Sequence, residues 1–395
     1  MRDADTPTST TTSHLGAEVR KAAAAFAQPV AGQATVQLLT SFGPFIAGCV
    51  AMYLVLPISY PFTLALALPT GALLIRVFIV QHDCGHGSFF ASRRANALAG
   101  RLCSLCTLTP YDNWSRQHSV HHADWNNLHR TGGGTDTYSA CLTMRDYFAM
   151  SRRGRFLYRL PRHPLIANLL LPPVVFLLVY RLPLDTPRHW RRERRSVHLT
   201  NAALLGVFGT LAWLLGWRQV LLVHLPVMVV ASILGIALFS VQHRFETAHW
   251  MEKGNWNFVE AALEGSSWLR LPSLLQWLTG NIGFHHVHHL NPRVPNYRLA
   301  EAHSAVQAIC PVPPISLRDG IRALRLTLWD EVAGRLIGFP EATGQPTRTA
   351  LHDGRAARPY ENSATLPEHG SQGFLQARPT TTTHGQSRSA ARNAP

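Results

Sequence analysis

Three short stretches concentrate histidine at spacings that suit a metal. HDCGH sets His82 and His86 four apart, HSVHH carries His118, His121 and His122, and FHHVHHL carries His285, His286, His288 and His289. On a helix, positions i, i+3 and i+4 share one stripe, so each HxxHH aims three imidazoles at one point and the HxxxH aims two. With 21 His in the chain, chance yields an HxxHH only about 0.06 times, and two occur. The eight nitrogens of His82, His86, His118, His121, His122, His285, His288 and His289 exceed what one ion needs, since zinc is content with three or four ligands. Two ions are implied. Imidazole suits Zn, Cu, Fe and Ni alike, and iron enters through the setting, a redox metal beside a bilayer whose lipids and acyl chains are natural substrates. The soluble di-iron design with two Glu-x-x-His motifs is not met, because only Glu246 to His249 has that form. CSLC, with Cys103 and Cys106, lacks a second CxxC and reads as core.

The elements that must position these histidines are membrane helices. A charged fraction of only 15% and clustered apolar runs point to a bilayer, with spans expected at about 36–56, 61–80, 198–215 and 220–240. The net charge of +15 is then a positive-inside bias, and nucleic acid is not a partner. Arginines follow the second span and RHWRRERR (188–195) precedes the third, so the hairpin turns at 57–60 and 216–219 face outward and both termini inward. Residues 164–180, PLIANLLLPPVVFLLVY, are short, carry Pro172 and Pro173 mid-segment and have arginine on both flanks. They read as a re-entrant or interfacial element rather than a fifth span, and only without a crossing do all three histidine clusters reach one membrane face. The expected fold is an all-α integral membrane protein of four transmembrane helices, with a cytoplasmic helical cap carrying a histidine-rich di-iron site. Residues 1–34 are expected to be disordered or interfacial, 35–325 to form the membrane domain, and 340–395 a disordered tail. Residues 258–277 suit a segment lying in the interface, or else a buried amphipathic helix.

HDCGH, HSVHH and HHVHHLNPRVPNYRL, in that order and interleaved with two hydrophobic hairpins, resemble the three histidine boxes of the membrane fatty acid desaturases, in particular the bacterial acyl-lipid and acyl-CoA branch. QHRFE (242–246) and GNIGFHH (280–286) extend the likeness, which covers roughly 35–325. The resemblance implies two non-haem irons on the eight box histidines, which are thereby catalytic, O2 as co-substrate, and removal of two hydrogens from adjacent carbons of a fatty acyl lipid, acyl-CoA or acyl-carrier substrate. It also implies membrane lipids as surroundings, a bacterial inner membrane with the site facing the cytoplasm, and an external electron donor, a ferredoxin or cytochrome. Neither a GxGxxG after a strand nor a haem-binding HPGG is present to supply electrons internally. A hydroxylase or ketolase on the same scaffold, and a membrane metal carrier, are the alternatives.

Family members of this kind place one more histidine, from between the last span and the third box, on one iron. His243 lies just beyond its span as His82 lies just beyond its own, whereas His249 sits further on and would face away on a continuing helix. His243 is therefore the expected ninth ligand. His286 breaks the stripe of the third box. His129 and His249 read as supporting or surface residues, Gly85 and Gly87 as a tight helix end beside the metals, and Asp124, Asn126 and Asp136 as imidazole-orienting or loop-solvating. RHWRRERR reads first as a topology determinant and second as a docking site for an acidic redox partner or a phosphate-bearing acyl carrier.

Overall fold

The computed structural model describes residues 9–128, 138 and 140–340, with side chains from His14 onward. Its principal helices are α1 (Ser9–Ala24), α2 (Ala31–Val55), α3 (Tyr60–His86), α4 (Arg93–Thr107), α5 (Tyr111–Ala123), α6 (Arg191–Leu215), α7 (Trp217–His243), α8 (His285–Leu290) and α9 (Leu299–Ile309). Helices α2, α3, α6 and α7 are long and apolar enough to cross a membrane. Large apolar side chains such as Leu39, Phe62, Leu205 and Trp213 stand exposed on them, a surface suited to lipid and not to water.

These helices outrun the apolar windows that mark them. Hydropathy reports only the part of a helix that meets lipid, while backbone hydrogen bonding continues into polar residues. Thus α3 runs on to His86, where Gly87 at φ 68° ends it and its N–H turns back to Asp83 and Cys84 carbonyls. α7 likewise ends on His243. α3 packs against α2, α4 and α7. A Cβ on Gly71 would lie 2.6 Å from Val230 of α7, so the close approach of these two helices needs glycine there.

The 164–180 segment is broken into the π-turn Ile166–Leu170, the helix Leu171–Leu177 and the 3-10 turn Val179–Arg181. It bends by 45° from the preceding Arg152–Arg162 helix. Pro172 stands in the first turn of its helix, where no backbone donor is needed. Before the segment, the Tyr158 hydroxyl donates to the Thr327 carbonyl at 3.2 Å; after it, the Thr186 hydroxyl donates to Asn113 of α5 at 2.9 Å.

Several expectations are corrected. Residues 9–24, expected to be disordered or interfacial, are ordered as α1, which packs on α9 by burying Val19 and Ala23 against Ala302 and Val306. Residues 258–277 are not one helix: Phe258–Leu263, the strand Trp268–Leu269 and Ser273–Leu278 follow one another, with Leu263 and Leu269 buried and Leu274 exposed. The cap also holds two small sheets, Leu142–Thr143 with Leu328–Asp330 and Arg335–Ile337, and Trp268–Leu269 with Pro314–Ile315. Strands of two or three residues carry too short an alternation to be read from sequence. The tail expectation and His129 and Asp136 lie outside the described residues.

Candidate metal centre

Every box histidine arrives on the end of a helix or on a short helix pinned to one. His82 and His86 ride the last turns of α3, His118, His121 and His122 the last turns of α5, His285, His288 and His289 all of α8, and His243 closes α7. α5 is tied to the end of α3 by the Tyr111 hydroxyl donating to the Cys84 carbonyl at 2.6 Å and by Ser115 donating to the Gly85 carbonyl at 2.9 Å. Gln242 on α7 donates to the Ile282 carbonyl at 3.1 Å, and His286 N–H to the Ser267 carbonyl at 3.2 Å, so α8 is held against the end of α7.

The ring nitrogens converge in two groups, each within 4.8 Å. One is His82, His86, His118, His122 and His288; the other is His121, His243 and His289. His285 joins the second, its Nε2 3.3 Å from His243 Nε2. His121 Nε2 and His289 Nε2 lie 2.6 and 3.2 Å from the same His243 atom, and in the first group His118 Nε2 lies 3.0 Å from His82 Nε2 and 3.1 Å from His122 Nε2. A single imidazole nitrogen is either one donor or one acceptor, so three Nε2 atoms around His243 Nε2 cannot all be satisfied by hydrogen bonds. Lone pairs turned inward on a shared cation satisfy every one of them. The donor set, all imidazole, therefore fits a pair of borderline transition-metal ions.

Asp83 orients this shell. Its Oδ1 is 2.9 Å from His82 Nδ1, while its Oδ2 accepts from the Asn296 N–H at 2.6 Å and from Asn296 Nδ2 at 2.7 Å. That arrangement keeps the His82 proton on Nδ1 and leaves Nε2 for the metal side. Asp83 sits in plain view inside HDCGH as an acid beside the first ligand. Asn296 carries no such signal, being 213 residues away.

Other candidates land elsewhere. His286 turns its Nε2 away from the cluster to His303 Nδ1 at 3.2 Å. His249 faces Glu260 at 3.4 Å with a half-exposed side chain. The reason differs from a continuing helix turning it away, because α7 stops at His243 and the chain bends off. Asn126 is buried and donates to the His249 carbonyl, pinning that loop instead of an imidazole. Asp124 is half-buried just past α5. Trp114, not singled out in the sequence, stacks on His118 with ring centres 4.6 Å apart. Cys103 is buried in the core.

Burial, reinforced by neighbouring imidazoles, holds His118, His122, His285, His288 and His289 well below the ordinary 6.5. These rings are neutral at pH 7, as ligands must be. The folded values lie below the unfolded one, so on acidification the unfolded chain takes up protons first. Stability and metal retention are full above about 6.5 and decline as pH falls below it. Stepping purified, metal-loaded protein from pH 7.5 to pH 5 and measuring retained metal is expected to show progressive loss; retention unchanged at pH 5 would contradict this account.

A cavity of about 380 Å³ reaches the cluster from the membrane side, walled by His82, His118, His121 and His285 and otherwise mainly by apolar side chains of α3, α7 and the Leu171–Leu177 helix. Its far end lies at Leu74, Phe176, Met228 and Ala231. Ala231 is twelve residues before His243, about 18 Å along a helix. An apolar space of this depth that ends on the histidine cluster is suited to an extended hydrocarbon chain.

A family model described as "Fatty acid desaturase" matches residues 57–319. A fatty acid desaturase of Bacillus subtilis (strain 168) is 42% identical over 332 residues, covering 84% of this chain and 93% of that protein. An sn-1 acyl-lipid omega-3 desaturase (ferredoxin) of Synechocystis is 30% identical over 252 residues, 60% of this chain and 66% of that protein. The sn-2 acyl-lipid omega-3 desaturase (ferredoxin), chloroplastic, of Arabidopsis thaliana is 25% identical over 256 residues, 61% of this chain and 54% of its own. The matched stretch opens ahead of α3 and closes beyond the third histidine box, taking in the whole cluster and its cavity, and the chain belongs to the fatty acid desaturase family, oxidoreductases that introduce a C=C bond into fatty acyl chains.

Proposed function

We propose that this desaturase uses O2 at two irons, one on His82, His86, His118, His122 and His288 and the other on His121, His243, His285 and His289. The observation that carries this is the sharing of one apolar cavity by histidines of both groups, His82 and His118 from the first and His121 and His285 from the second. Bound iron supplies the oxidising power toward an unactivated methylene, which offers no acid, leaving group or carbonyl for side chains to act on. The protein supplies position: Leu74, Phe176, Met228 and Phe239 hold the acyl chain in register and exclude water, so that one pair of carbons lies beside His82 and His121. The names of the acyl-lipid, ferredoxin-using relatives support a membrane acyl lipid as substrate and a ferredoxin-type donor.

The orientation follows from charge. Arginines gather at the starts of α4 and α6 on the histidine side, which supports a cytoplasmic site at a bacterial inner membrane in this reading. The 164–180 segment is re-entrant in this reading: its sixteen residues Ile166–Arg181 span about 24 Å as helix, short of the ~30 Å hydrocarbon core, and both flanks hydrogen-bond to the histidine side.

The decisive experiment is purification from an iron-supplemented host, iron analysis, and fatty acid profiling with and without O2 and reductant. About two irons per chain and an olefin made only with both are expected; turnover under strict anaerobiosis would overturn the reading. The cavity makes its own prediction. Ala231→Trp fills the far end and is expected to shift products to shorter acyl chains with iron content unchanged. An unaltered chain-length profile would mean the acyl chain runs elsewhere.

A further inference from the structure

The metal cluster is approached from two sides. Besides the apolar cavity there is a second cleft, about 390 Å³, bordered by α4, α5 and the start of α6 and sharing no lining residue with the first. On its floor lies His86. Of the nine clustered histidines the other eight are buried, whereas His86 is half-buried, lining this cleft while its Nε2 is enclosed on the cluster side. The rings of His82, His118, His122 and His288 stand 4.7 to 4.9 Å from it. Of the nine histidines, His86 is thus the one that keeps partial exposure, and it keeps it in this cleft.

The walls of the cleft carry more basic than acidic side chains. Arg93, Arg116 and Arg192 line it together with Asp112 and Glu193. Asp112 is already engaged by Arg192 at 2.6 Å and by Arg101 at 3.1 Å. Arg93 and Arg116 form no ion pair among the described residues, and the Arg116 guanidinium lies over the face of Trp190, 5.1 Å from the ring centre. Arg93 and Arg94 open α4, and Arg191 and Arg192 open α6, positions where the helix dipole favours acids, so helix stability does not account for them. A positive rim around a solvent-facing ligand suits an acidic partner that delivers electrons and leaves. An acyl carrier is the poorer fit, because the cleft does not continue into the cavity that takes the acyl chain.

We infer that this cleft is the docking face for an acidic one-electron carrier protein, that Arg93 and Arg116 steer it, and that its electrons pass in at His86. The inference rests on the desaturase reading above. The balance is R–CH2–CH2–R′ + O2 + 2 e⁻ + 2 H⁺ giving R–CH=CH–R′ + 2 H2O. Two carrier molecules are each oxidised by one electron, the acyl chain supplies two further electrons with its two hydrogens, and O2 is reduced to two waters.

The test is binding, with iron-loaded protein in nanodiscs and an acidic [2Fe–2S] ferredoxin titrated at low and moderate salt. Arg93→Glu with Arg116→Glu is expected to weaken ferredoxin affinity about tenfold or more and to flatten its salt dependence. Arg93→Lys with Arg116→Lys should bind like wild type. Arg152→Glu with Arg153→Glu, the same charge change on an exposed helix outside the cleft, is the control and should also bind like wild type. Affinity of the cleft double variant within twofold of wild type, an equal loss in the control pair, or no ferredoxin binding by wild type each overturns the docking face. Wild-type olefin formation with a small chemical reductant is run alongside. Its failure counts against the desaturase reading, while its success with unchanged ferredoxin affinity in the cleft variant counts against the docking face alone.

Discussion

Replacing His243 with alanine is expected to lower bound iron from about two ions per chain to about one and to reduce turnover by about a hundredfold or more, while leaving the protein folded in the membrane. The expectation rests on position. His243 is fully buried at the end of α7, and its Nε2 is the point on which those of His121, His285 and His289 converge at 2.6 to 3.3 Å. Removing it takes the central donor from the four-histidine group and leaves the five-histidine group complete. His249→Ala is the comparison, because that side chain is half-exposed and meets Glu260 and the ring of Trp329, contacts worth little to stability at an exposed position. Full iron and near-normal turnover in the His243 variant would refute the assignment, and loss in the His249 variant alone would transfer it.

Asp83→Asn is the second large effect. The carboxylate serves three donors at once: His82 Nδ1 on one oxygen and both nitrogens of Asn296 on the other. An amide has one oxygen and must present NH2 on its other side. If the NH2 faces Asn296, two buried donors are left unsatisfied at about 1–3 kcal/mol each. If it faces His82, Nδ1 becomes an acceptor and the proton moves to Nε2, the atom 3.0 Å from His118 Nε2 that has to offer its lone pair. Either way the five-histidine group is weakened, and metal affinity is expected to fall about 10–100-fold. Competition with a chelator reads this directly. Affinity equal to wild type would show that Asp83 only supports packing. The same measurement on Asn296→Ala, expected to give a smaller loss, separates orientation of His82 from the integrity of the α3 end.

Much of this protein is local and was therefore open to reading from its residues. Apolar runs of membrane length mark four helices because each satisfies its own backbone in lipid, and the i, i+3, i+4 spacing in HSVHH and HHVHH points imidazoles to one side because helical pitch does not depend on the rest of the fold. The order of the boxes sufficed to suggest the family, and the family led to desaturation over hydroxylation or metal carriage.

What the tertiary structure alone decided depends on distances between residues far apart in the chain. The convergence of the histidines into a group of five and a group of three, with His285 beside His243, does not follow the boxes: His122 sides with α3 while its neighbour His121 sides with His243, because adjacent residues on a helix project about 100° apart and meet different partners. The Asp83 to Asn296 hydrogen bond, the separate His286 to His303 pair and the docking of α1 on α9 likewise join segments with no sequence signal in common. The two sides of the site, an apolar cavity among α3, α7 and the Leu171–Leu177 helix and a basic cleft over His86, exist only once those helices are packed, since each wall comes from a different part of the chain and no one part is concave by itself.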